Sequence, residues 1–371
     1  MKQSSFYSNY KIGAKIGSGS FGRIFSATNP LTGEQVAIKI ESKEAKNPQL
    51  VHEYELYKIL LKNNPEPEGI PRIHLCTTQS DYVNLVMELL GPSLEDKFNL
   101  CGRKFSLKTV LMLAFQMLAR LEYIHSCGLI HRDIKPENFL LGVGKNQDKV
   151  YIIDFGLSRP YLKDGKHIEF IVGKKLIGTA RYASINTHRG ITQSRRDDLE
   201  SVGYIWIYFL KGKLPWQGLK ATERTQRYDK IKEKKIETSI AELCQDLPPE
   251  FAEYLTYVRN LNFEEEPDYA RLQTLLRTLF NEKGFVEDFD YDWKSIKPDP
   301  VTKPADTKRI FKEVRVDGEN AMLTKEETKQ NNQSTKPLVQ KASNVPIKNT
   351  GSNQKNNHKS KACWPLFNCF S

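Results

Sequence analysis

A change in hydrophobic period along the chain limits its fold more than any other feature. Between residues 10 and 90 a period of two predicts strands at 10–16, 23–27, 35–40 and 82–88, with one helix at 50–61. From residue 107 to 125 apolar residues recur at three- and four-residue steps, and Gly128 follows where a glycine would end a helix. We therefore expect an α+β fold in which a small strand-rich unit precedes a larger helical unit. Clefts between such units are favoured ligand sites.

The composition of the 371-residue chain changes near residue 295. Upstream, aromatic and aliphatic residues are dense, whereas Lys, Asn, Gln, Ser, Thr and Pro dominate downstream. Such a segment cannot bury enough apolar surface to offset the entropy lost on ordering. We expect residues 1–297 to be folded and residues 298–371 to form a flexible basic tail. Much of the net charge of +11 belongs to this tail, because residues 328–371 hold seven lysines and no Asp or Glu.

Composition also excludes several classes of protein. With 39% apolar and 27% charged residues, disorder throughout and collagen-like repetition are excluded. No apolar run approaches the roughly 18 residues of a spanning helix, and the first residues lack an apolar signal core, so we expect a cytosolic protein. The cysteines are too sparse for a disulfide framework and lack paired metal-ligand spacing, which favours a reducing compartment. They are Cys76, Cys101, Cys127, Cys244, Cys363 and Cys369.

Three glycines mark the turn between the first two predicted strands, in Gly17-Ser18-Gly19-Ser20-Phe21-Gly22. Glycines allow a backbone to approach a phosphate closely and to point N–H groups at it. A strand–loop–strand setting disfavours dinucleotide binding, which needs a helix after the loop. The alternative interpretation is a glycine-rich hairpin that binds no ligand.

A lysine lies in the third predicted strand, Val36-Ala37-Ile38-Lys39. Period two places Ala37 and Lys39 on one face, opposite Val36 and Ile38. If the glycine loop covers phosphates, Lys39 can pair with them, and Glu53 on the following helix can hold the lysine. The alternative is an exposed strand lysine and a solvated helix glutamate.

Two polar segments flank a predicted strand at residues 150–153. His131-Arg132-Asp133-Ile134-Lys135-Pro136-Glu137-Asn138 precedes it and Asp154-Phe155-Gly156 follows it. Phosphoryl transfer needs a carboxylate that orients and deprotonates the acceptor hydroxyl, two oxygen ligands for Mg²⁺, and cations against the phosphate. Asp133 supplies the first, Asp154 and Asn138 the second, and Lys135 and Lys39 the third. In order and spacing these segments resemble the signature set of protein kinases.

The sequence resembles the casein kinase 1 family in particular, over roughly residues 10–295. Most protein kinases end the activation segment with Ala-Pro-Glu, where this chain reads Gly178-Thr179-Ala180-Arg181-Tyr182-Ala183-Ser184-Ile185-Asn186-Thr187-His188. The match continues in Met87-Glu88-Leu89-Leu90-Gly91-Pro92-Ser93-Leu94, Gln193-Ser194-Arg195-Arg196-Asp197-Asp198-Leu199-Glu200-Ser201 and Leu214-Pro215-Trp216-Gln217-Gly218-Leu219-Lys220.

This resemblance implies a two-lobed protein-kinase fold, with a β-rich N-lobe at residues 1–90, a mainly helical C-lobe at 91–297, and Mg-ATP in the cleft. The adenine is expected to bond the backbone of Glu88 and Leu90 behind Met87, and Asp198 is expected to brace the catalytic loop. Asp133, Lys135, Lys39, Asn138 and Asp154 are the implied catalytic residues, and Asn138 and Asp154 hold the metal. The implied ATP-site residues are Ile16, Gly17, Ser18, Gly19, Gly22, Ile24, Ala37, Lys39, Glu53, Met87, Glu88 and Leu90.

The resemblance also implies protein substrates with a phosphoserine or an acidic cluster a few residues before the target Ser or Thr. The matching anion-site positions are Arg181, Gly218 and Arg227. At the position of Arg227 the family usually has Lys. Arginine binds phosphate bidentately, so we expect the change to preserve anion binding. A second patch would involve Arg132 and Lys174. The alternative is a solvated basic face without a specific ligand.

The tail allows two hypotheses. Its hydroxyl residues could be autophosphorylated and dock in the anion site, as family tails do. Neighbouring lysines add only about 1 kcal/mol each near an anionic leaflet, which is too little alone to hold the protein at a membrane. Palmitoylation of Cys363 or Cys369 would supply a lipid anchor and create a peripheral membrane pool. Otherwise we expect cytoplasmic and nuclear pools.

Two other functions, a pseudokinase scaffold and a nucleic-acid-binding protein, fit the sequence less well. A pseudokinase scaffold would use the same fold without catalysis, but Lys39, Asp133, Asn138 and Asp154 are all present. A nucleic-acid-binding protein would rest on the tail charge alone, so we expect no specific nucleic-acid partner, and we expect a monomer. The basic run Glu233-Lys234-Lys235 is expected to be solvated helix surface.

Overall fold

The computed structural model describes residues 10–19, 22–79 and 81–296. Ser20 and Phe21 of the glycine motif, the predicted boundary at residue 297, the tail, Cys363 and Cys369 lie outside these described residues. The hypotheses about the tail therefore stay predictions.

The N-terminal part is a five-stranded antiparallel sheet in the order β1-β2-β3-β5-β4. Its strands are β1 Lys11–Gly19, β2 Gly22–Thr28, β3 Gln35–Ser42, β4 Ile73–Thr78 and β5 Tyr82–Glu88, and helix α1, Leu50–Leu60, lies between β3 and β4. The four strands and the helix predicted from hydrophobic period are confirmed within three residues at each end. Strand β4 was not predicted.

Strand β3 is buried on both faces. Val36 and Ile38 pack with Ala27 and Val86 in a small cluster, whereas Ala37 belongs to the main hydrophobic core. The predicted alternation is therefore confirmed, and it directs Lys39 into the interior beside α1.

The C-terminal part is mainly helical. Its helices are α2 Leu94–Leu100, α3 Leu107–Ser126, α4 Ile185–His188, α5 Arg195–Lys211, α6 Arg224–Glu237, α7 Ile240–Leu243, α8 Pro249–Asn260 and α9 Tyr269–Glu282. Short strands β6 Leu129–Ile130, β7 Phe139–Leu141, β8 Val150–Ile152, β9 Arg159–Pro160, β10 Leu162–Lys163 and β11 Lys166–His167 pair as two-stranded ribbons. Tight 3-10 turns occur at Pro136–Asn138, Gly144–Asn146, Phe155–Leu157 and Asp292–Lys294.

Two helices form the centre of this part. Helix α3 begins after Ser106, whose side chain accepts from the N–H of Thr109, and ends at Ser126. Gly128 follows with φ of 78°, which confirms the predicted glycine stop. In α5 every residue from 197 to 209 is buried, and Gly203 allows α8 to approach, since a Cβ there would lie 2.8 Å from Leu255 Cδ2.

The predicted α+β class is thus confirmed, with a sheet in the N-terminal part and helices in the C-terminal part. Within the described ranges, no helix combines the length and the apolar character that crossing a membrane requires.

Candidate active site

The sheet and the C-terminal part meet at a buried ion-pair cluster. Lys39 Nζ lies 2.6 Å from Glu53 Oε2 on α1 and 3.0 Å from Asp154 Oδ1, which follows β8. Lys39 and Glu53 are buried, so the alternative of a solvated lysine and glutamate is wrong.

The charges in this cluster support one another. Burial alone would raise the pKa of Asp154, but the positive charges of Lys39 and Lys135 lower it to about 2. Burial would likewise lower the pKa of Lys39, but Asp154 and Glu53 outweigh that effect and raise it. Burial raises the pKa of Glu53, against the attraction of Lys39. At neutral pH the Lys39–Asp154 pair is therefore ionic.

Asp133 is buried and lies in the segment of residues 131–138, here called the catalytic segment. Its Oδ2 lies 2.6 Å from Lys135 Nζ, and its Oδ1 accepts a hydrogen bond of 2.7 Å from Thr179 Oγ1. Asn138 Nδ2 donates to the Asp133 carbonyl at 2.8 Å. The carboxylate is thus fixed between a cation and a hydroxyl group.

The backbone of this segment is held from behind by Asp198 on α5. Its two carboxylate oxygens accept the N–H groups of His131 and Arg132 at 2.7 and 2.9 Å, and His125 Nε2 lies 2.9 Å from it. Arg132 has φ of 69°, an unfavourable conformation for a non-glycine residue. The bracing role implied for Asp198 agrees with these contacts.

His131 connects the catalytic segment to β8. Its Nε2 lies 3.1 Å from the Ile153 carbonyl, and the Asp133 N–H points to its Nδ1 at 3.3 Å. Both contacts are satisfied when Nε2 carries the proton and Nδ1 accepts. The His131 ring also packs edge-on against Phe155, with ring centroids 5.2 Å apart.

The oxygens of Asn138 and Asp154 fit a magnesium ion. Asn138 donates through Nδ2, which leaves its amide oxygen for a ligand, and Asp154 pairs with Lys39 through Oδ1 alone. Mg²⁺ usually takes one or two protein oxygens and completes its shell with water and substrate phosphates. Among residues 10–19, 22–79 and 81–296 no group of three or more His, Cys, Asp or Glu could hold a metal.

The glycine motif closes the β1–β2 hairpin, where Gly19 pairs with Gly22. Gly22 has φ of 150°, and a Cβ there would lie 2.6 Å from the Ile40 carbonyl oxygen. A Cβ at Gly17 would lie 3.4 Å from Ile24 Cδ1. The two arms of the hairpin thus pack closely on each other, and β2 packs closely on β3. Ile16 and Ser18 are exposed.

The predicted adenine site lies where β5 ends. Met87 is buried and pairs with Ala37 across the sheet. The N–H of Glu88 donates to the Arg72 carbonyl at 2.8 Å, so this N–H is already occupied within the protein. Leu90 follows outside the strand and is half-buried.

The predicted anion-site residues lie on three loops and a helix, with Lys174 and Arg181 on the same loop between β11 and α4. The Arg181 guanidinium lies 5.6 Å from the centroid of the Tyr182 ring, and Trp216 Nε1 donates to the Arg181 carbonyl at 2.7 Å. Gly218 is exposed two residues beyond Trp216, and Arg227 is half-buried in the first turn of α6. In the second patch, Arg132 Nε donates to the Leu157 carbonyl at 2.6 Å and Lys174 is exposed.

Lys235 and Thr179 have surroundings that the sequence does not predict. Lys235 was expected on solvated helix surface, but it is fully buried because its amine bonds backbone carbonyls. The contact of Thr179 with Asp133 was not predicted, since residues 46 positions apart give no local pattern.

One comparison with known proteins bears on this site. Residues 10–277 match the family model described as the protein kinase domain. The match spans the sheet, the glycine hairpin, the catalytic segment and Asp154, and it implies ATP as phosphate donor, usually with Mg²⁺, and proteins as substrates. The chain belongs to the protein kinase family.

Proposed function

We propose that this protein kinase is a Ser/Thr kinase of the casein kinase 1 type, which phosphorylates Ser or Thr a few residues after a phosphorylated or acidic residue. One observation carries the proposal. Arg181 lies two residues after Thr179, whose hydroxyl donates to the carboxylate of Asp133. The Cα atoms of these two residues are at most about 7 Å apart, so an anion held by the Arg181 side chain would lie within a few residues of the target hydroxyl.

In this proposal Asp133 orients the acceptor hydroxyl and takes its proton as the new O–P bond forms, while the bond from the γ-phosphorus to the bridging oxygen breaks and ADP leaves. Thr179 and Lys135 hold the two carboxylate oxygens of Asp133. The ammonium of Lys135 also places positive charge where the transferred phosphoryl group gains negative charge.

Lys39 binds the phosphates of ATP, and Glu53 keeps its amine in place from α1. Asn138 and Asp154 would hold Mg²⁺, which neutralises phosphate charge and organises the oxygens for in-line transfer. The glycine hairpin covers the phosphates, and Met87 closes the back of the adenine site.

The test compares transfer to a peptide with phosphoserine three residues before its target with transfer to the unphosphorylated peptide. We expect Arg181→Ala to lower kcat/KM for the primed peptide by about 10- to 100-fold, since a hydrogen bond to a charged group contributes about 1.5–3 kcal/mol. The unprimed peptide should change little. Arg189→Ala, an exposed arginine at the end of α4, is the matched control.

An equal loss on both peptides would contradict the role of Arg181. Asp154→Asn should abolish transfer to either peptide. If the unmodified protein transfers no phosphate to either peptide or to casein, the pseudokinase scaffold becomes the better interpretation.

A further inference from the structure

Helix α6 carries a lysine that faces the interior. Ile231 and Lys235, one turn apart, are its buried residues, and the side chains around them on this helix are mostly charged and partly or fully exposed. An unpaired ammonium in the interior would be costly. The buried amine of Lys235 therefore needs partners that offset the cost of burying its charge.

The amine of Lys235 binds the backbone around Arg181. Nζ lies 2.5 Å from the carbonyl oxygen of Ala183, 3.1 Å from that of Ala180 and 3.3 Å from that of Arg181. Three carbonyl acceptors require three N–H protons, which the ammonium supplies and a neutral amine does not.

Two aromatic rings complete this site. Nζ lies 5.0 Å from the centroid of Tyr204 and 4.9 Å from that of Trp216, and aromatic faces attract a cation. Burial lowers the pKa of Lys235 to about 7, Glu200 opposes this change and Arg259 adds to it. The carbonyl and ring contacts favour the charged form.

Two further donors hold the same carbonyls. His188 Nε2 lies 3.0 Å from the Ala180 oxygen, and Trp216 Nε1 lies 2.7 Å from the Arg181 oxygen. Burial and the neighbouring Lys235 lower the pKa of His188 to about 3, so at neutral pH this ring is uncharged. Because a carbonyl oxygen can only accept, Nε2 carries the proton. It is then not an acceptor for the Lys235 ammonium, whose Nζ lies 3.3 Å away. Residues 180–183 are thus fixed by α4, by α6 and by the loop that contains Trp216.

We propose that Lys235 is a positioning residue of the protein-substrate site: its ammonium gathers the carbonyls of residues 180–183 and so fixes the backbone from which Arg181 projects. The role rests on the proposed function, because Arg181 is there the group that binds the substrate anion. Because its side chain is fully buried, Lys235 acts through this backbone and not by contact with substrate or ATP. Its effect should therefore appear in peptide binding rather than in ATP binding.

The test variant is Lys235→Met, which keeps an unbranched apolar stem and removes the ammonium. Lys234→Met removes the same charge from the neighbouring residue of α6 and is the matched control. We expect Lys235→Met to raise KM for the primed peptide by about 10-fold, the effect of losing a hydrogen bond to a charged group. KM for the unprimed peptide should rise less, and KM for ATP should stay within a factor of about two.

Hydrogen exchange supplies a second readout that does not depend on activity. Amides of residues 176–190 should exchange faster in Lys235→Met than in Lys234→Met, while exchange around Lys39 and Asp154 stays unchanged. A folded Lys235→Met protein with unchanged peptide KM and unchanged exchange at 176–190 would overturn the proposal. A general loss of stability without a change in peptide KM would overturn it as well.

Should Lys235→Met fail to fold, Trp216→Phe tests the same segment. It removes the donor to the Arg181 carbonyl and keeps an aromatic face for the ammonium. A raised peptide KM supports the premise that hydrogen bonds to the carbonyls of residues 180–183 position Arg181, and an unchanged one overturns the proposal. If the unmodified kinase shows no preference for the primed peptide, the proposed substrate class fails, whereas KM for the unprimed peptide and exchange at 176–190 still decide the role of Lys235.

Discussion

At the scale of single residues, the site contains two non-glycine residues with left-handed backbones. Arg132 has φ of 69° and Asp154 has φ of 68°. Such conformations cost about 1–3 kcal/mol each and persist where surrounding contacts determine them. Here Asp198 accepts the Arg132 N–H, and Lys39 pairs with the Asp154 side chain. These two left-handed residues change the direction of the chain directly before Asp133 and shortly after β8.

The Lys39–Asp154 pair makes stability depend on pH. Because the pKa of Asp154 is about 2 in the folded chain, below its ordinary 3.8, its carboxylate adds stability above about pH 4 that is lost as pH falls through about 2. We expect Asp154→Asn to lower the free energy of unfolding at pH 7 by about 2 kcal/mol. Urea unfolding of both proteins between pH 2 and 7 measures this difference, in which the titration of other groups largely cancels.

The difference between the two proteins should shrink as the pH approaches 2. A difference that stays constant over the whole range would contradict the assigned ion pair. Far-ultraviolet circular dichroism at each pH controls for loss of the native fold.

Residues that act through side-chain pairs were easier to predict than those that act through the backbone. The positions of Lys39, Asp133, Asn138 and Asp154 follow from a motif whose chemistry needs those side chains. Lys235 bonds carbonyl groups, which every residue carries, so no residue type in the sequence indicates its partners.

At the scale of elements, the β1–β2 hairpin depends on Gly22. Its φ is 150°, and only 2.6 Å would separate a Cβ at this position from the Ile40 carbonyl oxygen, so there is no room for a side chain. We expect Gly22→Ala to displace the hairpin and to raise KM for ATP about 5- to 10-fold, a cost of about 1 kcal/mol. Steady-state kinetics with varied ATP and saturating peptide would measure it.

Gly33→Ala provides the control for this substitution. Gly33 also has a left-handed backbone, with φ of 73°, but apart from Gly33 and its two chain neighbours no atom lies within 4 Å of its Cβ position. It should lower stability by about 1 kcal/mol and leave KM for ATP unchanged. Equal ATP kinetics in the two variants would argue against the close packing of the hairpin.

Elements with a strong period were predicted and weak ones were not. Helix α3 and strands β3 and β5 are buried along most of their length, so tertiary packing agrees with their dense apolar residues. Strand β4 lies at the edge of the sheet, and its burial does not alternate along Ile73–Thr78. Without alternation in Ile73-His74-Leu75-Cys76-Thr77-Thr78, this stretch carries no periodic signal.

At the scale of the whole molecule, one continuous core supports both the sheet and the helices, since Leu85 of β5 and Leu118 of α3 belong to the same cluster. We expect Leu118→Ala to lower the free energy of unfolding by about 2–5 kcal/mol. Leu100→Ala in α2, where the side chain is 52% exposed, should change it by about 0.5 kcal/mol or less. Urea unfolding of the two variants measures both changes. Similar losses in the free energy of unfolding would contradict the assigned burial of Leu118 and exposure of Leu100.

The burial of α5 has a consequence for mutational tolerance. An amphipathic helix such as α9 buries Tyr269, Leu272, Leu276, Leu279 and Phe280, so a scan of all substitutions should give tolerant and intolerant positions that repeat with the helical turn. Between residues 197 and 209 no position of α5 is exposed, and the scan should give an unbroken intolerant block. Because Asp198 in that block also holds the catalytic segment, variation in α5 would change protein abundance and enzymatic rate together.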